Sequence, residues 1–264
     1  MAIDGIKTIE KPKYSIFYIE SLSDGFKEII RAQLQGIWNG FAEADSLPNF
    51  YSYKFTLTEF IDRYNSKSSK IKKGMIGELI AHLVLNHQDN GLSSLSILKN
   101  KEEKSIKKGF DIIYCDVANN KLWYSEVKSG SYGTRIHNST AYNNILLNRA
   151  KKGISKMIDG KRNSLWESAL IDVSLVINEN DGRLDLKQLL SDDSPNLNSN
   201  QKKNVILISS LFHNLSDEID EISVSDFLDN TIAEDIFEEV IIISIQKETY
   251  EAVANFLSDE IITC

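Results

Sequence analysis

Residues 109–128 read Gly-Phe-Asp-Ile-Ile-Tyr-Cys-Asp-Val-Ala-Asn-Asn-Lys-Leu-Trp-Tyr-Ser-Glu-Val-Lys. Two runs rich in β-branched and aromatic residues, Phe110–Val117 and Leu122–Lys128, flank Ala118-Asn119-Asn120-Lys121. Asparagine tolerates the positive φ of a tight turn, so the stretch predicts a β-hairpin. With an even loop that pairs Ala118 with Lys121, the register continues to Ile113 opposite Glu126 and Asp111 opposite Lys128. Residues two apart on a strand share a face, and so do directly opposed residues. Asp111, Glu126 and Lys128 therefore fall on one side of the sheet. An odd loop would send Asp111 to the other side and break the set.

Two carboxylates and an ammonium on an otherwise apolar sheet are costly to bury without a purpose. A hard divalent cation removes that cost because it takes carboxylate, carbonyl and water oxygens. Mg²⁺ is the expected ion, with Mn²⁺ as a substitute. Asp111 and Glu126 would hold it, with the backbone carbonyl of Val127 as a further ligand. Such an ion lowers the pKa of a bound water and stabilises charge on a phosphoryl transition state. Lys128 is placed to orient that water, to deprotonate it or to stabilise the charge, and the three roles stay open. The same Glu-x-Lys spacing occurs at Glu102-Glu103-Lys104 in a polar loop. The apolar strand around it and the Gly-Phe-Asp before it single out the second occurrence.

Upstream, Ile71–His87 predicts a helix whose stretch from Met75 to Leu85 is apolar on almost every side, so more than one neighbour should bury it. Glu78 and His82 interrupt it four residues apart and share a side. An ionised Glu78 there needs His82, a lysine or a metal as partner, and against the sheet it would reach the same cation directly or through water. Further strands are expected at 14–20, Leu95–Leu98, Asn204–Ser210 and Val240–Ile245. Further helices are expected at 23–41, Thr58–Tyr64, Ser139–Ile158 and Thr249–Ile261, with a loop at Asp45–Phe50. Residues 168–178 fit either a strand or a helix.

These segments resemble the PD-(D/E)xK nuclease superfamily: a glutamate on the first core helix, then Gly109-Phe110-Asp111, then Glu126-Val127-Lys128 on the next strand. The resemblance implies an α/β (α+β) fold with an αβββαβ core over about residues 71–180 and C-terminal strand and helix additions. It also implies Asp111, Glu126, Lys128 and Glu78 as catalytic residues. Phe110 stands where the family's name has proline. The glutamine that many members carry after the lysine strand has no counterpart, with Asn143, Asn144 and Asn148 as candidate substitutes. More narrowly, Lys72-Lys73-Gly74-Met75-Ile76-Gly77-Glu78-Leu79, Lys108-Gly109-Phe110-Asp111 and Leu122–Lys128 are similar to the HamA nuclease family of Hachiman anti-phage defence. That resemblance implies a bacterial DNA-cleaving effector restrained by a helicase. The chain has no Walker-type loop, so a motor would come from a separate subunit. Residues 1–70 are expected as an α+β region before a nuclease domain at 71–264 with an acidic extension.

The net charge of −8 is divided unevenly. Residues 191–264 carry 16 Asp and Glu against 3 Lys and Arg, a net −13, which leaves +5 on residues 1–190. A basic front suits phosphate, and an acidic tail suits either solvent or a basic partner. Arg135, Arg149, Lys151, Lys152 and Lys156 follow the lysine strand and fit a nucleic-acid track or a solvated face equally. Gly130-Ser131-Tyr132-Gly133 fits a phosphate loop or a plain turn. His82, His87, His137 and His213 lack zinc spacing. Cys115 and Cys264 form no disulfide framework, and Cys115 is expected as a core thiol. No apolar run is long enough to span a membrane, and the first residues do not read as an export signal, so a cytosolic location is expected. The rival to a nuclease is a non-catalytic module of the same fold that binds a helicase or nucleic acid. A phosphodiester site leaves DNA versus RNA open.

Overall fold

The computed structural model describes residues 3–88, 91–99, 109–132, 138–160, 163–195, 197 and 201–263. The loop through Lys108 with Glu102-Glu103-Lys104, and Gly133, Arg135, His137 and Cys264, lie outside the described residues. Among the described residues seven strands form one sheet: β1 (Ile6–Lys11), β2 (Tyr14–Ile19), β3 (Leu92–Ser94), β4 (Ile112–Asp116), β5 (Lys121–Gly130), β6 (Asn204–Phe212) and β7 (Val240–Lys247). Their spatial order is β1-β2-β7-β6-β5-β4-β3. The four central strands β2, β7, β6 and β5 are parallel, and antiparallel strands finish both edges.

The helices among the described residues are α1 (Asp24–Asn39), α2 (Phe41–Ser46), α3 (Tyr53–Asn65), α4 (Ser69–His87), α5 (Ser139–Asp159), α6 (Asn163–Val176), α7 (Arg183–Asp192), α8 (Glu221–Ala233) and α9 (Glu251–Thr263). The chain order α4-β3-β4-β5-α5-β6 follows the expected α-β-β-β-α-β succession. Residues 168–178 settle as helix through Val176. None of the described helices is long and apolar enough to cross a membrane.

Each face of the sheet carries its own core. On one, α4 packs Ile76, Leu79, Ile80, Leu83 and Val84 among Ile112, Tyr114, Trp123, Val127, Ile206 and Ile208, with α1 and α9 beyond. Each such aliphatic side chain contributes roughly 1.5–3 kcal/mol relative to exposure, so α4 is anchored along its length. Its all-round apolar character follows from lying between the sheet and other helices. On the opposite face, α5 packs Leu146, Leu147, Ala150 and Ile154 against Ile113, Cys115, Leu122, Tyr124, Val205 and Leu207. Cys115 is a buried free thiol, and burial pushes its pKa up to about 11. That leaves it in the inert core role expected of it.

The hairpin register differs from expectation by two residues. Asp116, not Ala118, lies opposite Lys121, and Ile113 lies opposite Tyr124, not Glu126. The cause is the Asp116 side chain, which accepts hydrogen bonds from the Asn119 N–H at 3.1 Å and the Asn119 side-chain amide at 2.7 Å. This closes a four-residue loop, 117–120, with Asn120 at φ 53°. An even loop stays even, so the assignment of faces is unchanged. The strand expected at Leu95–Leu98 lies earlier, at Leu92–Ser94. Leu98 and Lys99 donate instead to Ile37 and Trp38 carbonyls at the end of α1, drawing the segment off the sheet.

Candidate active site

Glu126 and Lys128 lie on β5, facing the α5 side of the sheet. Asp111 sits one residue before β4, and its Oδ2 accepts the Val127 N–H at 2.7 Å. Continuing the observed register places Asp111 level with Glu126 rather than with Lys128. The Lys128 ammonium donates to Glu126 Oε1 and to the Val127 carbonyl at 3.1 Å, and stands 3.9 Å from Asp111 Oδ2. Oxygens of three residues therefore converge on one cation. Glu126 is 6% exposed, whereas the Lys128 side chain keeps 34% of its surface in solvent. The site is thus closed at the carboxylate and open at the ammonium.

The electrostatics follow from this geometry. Burial, then the neighbouring Asp111 charge, push the Glu126 carboxyl up to about 8 against the pull of Lys128. Burial works to lower the Lys128 ammonium, but Asp111, Glu126 and Glu78 outweigh it and hold it above the ordinary lysine value. Glu78 is on α4, across the sheet, yet its charge is felt at Lys128. Of its three expected partners, a lysine is thus within reach of its charge. His82 is buried within α4.

Two glycines set the depth of the site. A Cβ at Gly153 on α5 would stand 2.7 Å from Glu126 Oε1, so the bare backbone lets the helix close over the carboxylate. A Cβ at Gly77 would overlap the Ser129 hydroxyl, so α4 reaches the sheet one residue before Glu78. Gly77 belongs to the helix motif that carries the family resemblance. Gly153 does not stand out in the sequence, although a glycine inside a strong helix costs about 1 kcal/mol relative to alanine and signals a close approach. Asn143 on α5 is fully buried and accepts a hydrogen bond from Ser209, the residue paired with Lys128 across β5 and β6. Asn144 turns to Ser223 on α8, and Asn148 to its own helix, whereas Asn143 bonds β6, the strand beside β5.

Beyond β5, Ser131 accepts from Lys73 of α4 at 2.6 Å. Tyr132 stacks on His213 and donates to Asp217 at 2.8 Å. Trp123 and Tyr124 pack in the two cores, one on each face.

Asp111, Glu126 and the Val127 carbonyl are hard oxygen donors already gathered around a positive charge, and they fit Mg²⁺ or Mn²⁺. Among the described residues no group of three His, Cys, Asp or Glu stands together as a ready cage. A sparse set is what Mg²⁺ takes, since it keeps several waters and binds one or two carboxylates.

No curated protein matches the chain. The HamA family model matches residues 2–261, almost its full length. The chain therefore belongs to the HamA family, a subunit of Hachiman anti-phage defence.

Proposed function

We propose that this chain is a metal-dependent nuclease of the PD-(D/E)xK type. In this reading it hydrolyses phosphodiester bonds in DNA as the effector of Hachiman defence, with a separately encoded helicase as partner. The observation that carries the reading is the convergence of Asp111 Oδ2, Glu126 Oε1 and the Val127 carbonyl on a single cationic nitrogen at a solvent-open edge. The element order α4-β3-β4-β5-α5-β6 and membership of a defence family support it.

Asp111, Glu126 and the Val127 carbonyl would hold Mg²⁺ or Mn²⁺, with Glu78 joining directly or through water. The ion, when bound, polarises a phosphoryl oxygen and lowers the pKa of a water. Asp111 enters this chemistry already oriented by the Val127 N–H. Glu126 is held in place by burial beneath Gly153, and water is kept from its inner side. Lys128, charged and partly exposed, orients the attacking water or neutralises charge at the phosphate.

The test is cleavage of supercoiled plasmid, linear duplex and RNA by the wild type and by a Glu126→Ala/Lys128→Ala variant, in Mg²⁺, Mn²⁺ or EDTA, with and without the partner subunit. Metal-dependent cutting that disappears in the variant is expected. A double variant that cuts like the wild type would sink the site assignment, and wild-type cutting in EDTA would sink the metal. A wild type that never cuts, partner present, leaves the non-catalytic binding module as the reading.

A further inference from the structure

The cations of α5 divide into two kinds. Lys151 is engaged inside the protein, 2.6 Å from Glu234 and above the Phe227 ring. Arg149, Lys152 and Lys156 are exposed, and none enters an ion pair among the described residues. Gly153 fixes where they point. Its backbone lies against Glu126, and residues four before and three after it on a helix share its face. Arg149 and Lys156 therefore flank the buried carboxylate, about 10 Å apart along the axis, with Lys152 at the outer border of the same stripe. A chain of net charge −8, with two carboxylates at its centre, repels a polyanion unless cations stand beside the centre.

Building on the nuclease reading, we infer that Arg149, Lys152 and Lys156 are the contact stripe for the phosphate backbone of a nucleic acid, carrying the strand across Glu126. The partner is a polyphosphate chain, since the stripe offers charges on one helix face and no aromatic platform for bases. Lys151 takes no part because Glu234 already holds it.

The stripe is tested by binding of a labelled DNA duplex and a matched RNA duplex to the full chain, in Mg²⁺, on a Lys128→Gln background that leaves the nucleic acid uncut. Adding Arg149→Gln, Lys152→Gln and Lys156→Gln is expected to weaken binding at least about tenfold. The slope of log affinity against log salt should fall by about two to three, close to one for each phosphate no longer neutralised. Lys151→Gln is expected to bind like the background. Weakening confined to one duplex identifies the nucleic acid that lies on the stripe. Unchanged binding of both by the triple variant overturns the stripe and leaves the nuclease reading standing. Stripe-dependent binding by a wild type that never cuts overturns the nuclease reading and keeps the stripe.

Discussion

β5 carries an ion cluster near each end, and the two are built on opposite accounts of charge. Toward its start, Tyr124 donates to Asp193 at 2.6 Å, and Lys203 donates to the other Asp193 oxygen at 2.5 Å. One carboxylate meets one ammonium and one phenol, and the charges cancel. Lys203 is only 4% exposed, yet it is satisfied. Further along the same strand, two carboxylates share one ammonium, and a third, Glu78, acts on it from across the sheet. With all its carboxylates ionised that cluster holds surplus negative charge, and burial first, then the Asp111 charge, raises the Glu126 carboxyl. A balanced cluster is satisfied by its own members, whereas an unbalanced one marks a candidate functional site.

The largest effect expected from unbalancing this comparison is on metal binding. Asp111→Asn keeps an acceptor for the Val127 N–H but removes a charge. Mg²⁺ affinity by calorimetry and plasmid cleavage should fall at least about a hundredfold, beyond the 10–100-fold typical of supporting residues, with the melting temperature almost unchanged. Removing a charge from the balanced cluster should do the reverse. Lys203→Ala leaves Asp193 facing Tyr124 alone and is expected to cost about 3 kcal/mol in urea unfolding. Cleavage per folded molecule should stay at the wild-type level, and a drop in activity at equal folded fraction would contradict the division.

Gly153→Ala sharpens the comparison at smaller scale. The added methyl meets Glu126 Oε1, so cleavage is expected to fall about tenfold. Stability should change by less than about 1 kcal/mol, because better helix propensity offsets the crowding. The smallest effect is on pH dependence. Glu126 binds its proton more tightly in the folded metal-free chain, about 8 against an ordinary 4.5, so its contribution to stability is present at low pH and is lost as pH rises between those values. Glu126→Gln should flatten the decline in melting temperature over that window, and an equal decline in the variant would show that another group causes it.

The face shared by Asp111, Glu126 and Lys128 was legible in the sequence because it depends only on strand periodicity and loop parity. The register was not, because it depended on whether the Asp116 side chain would bond Asn119 and so release Val117 and Ala118 from the ladder. The β1 strand escaped notice because Lys7, Glu10 and Lys11 give an edge strand the composition of a loop. α6 stayed ambiguous because a short apolar run has no period that separates a buried strand from a buried helix. At the site, the charged residues could be read from their spacing, but the placement of Glu78 across the sheet and the approach of Gly153 to Glu126 depend on how two helices dock. That is tertiary information, absent from any single segment.

The pairing of β2 with β7 carries a consequence for how the molecule is made. Tyr14 lies opposite Ile242, so a central parallel pairing joins positions more than two hundred residues apart. Such long-range pairing is slow to form because the chain must close a large loop before the pairing rewards it. During synthesis the strand bearing Glu126 and Lys128 emerges well before β6, its parallel neighbour, and β7 beyond it. The parallel centre of the sheet, and with it the support behind the candidate site, is thus completed only once β7 has been made.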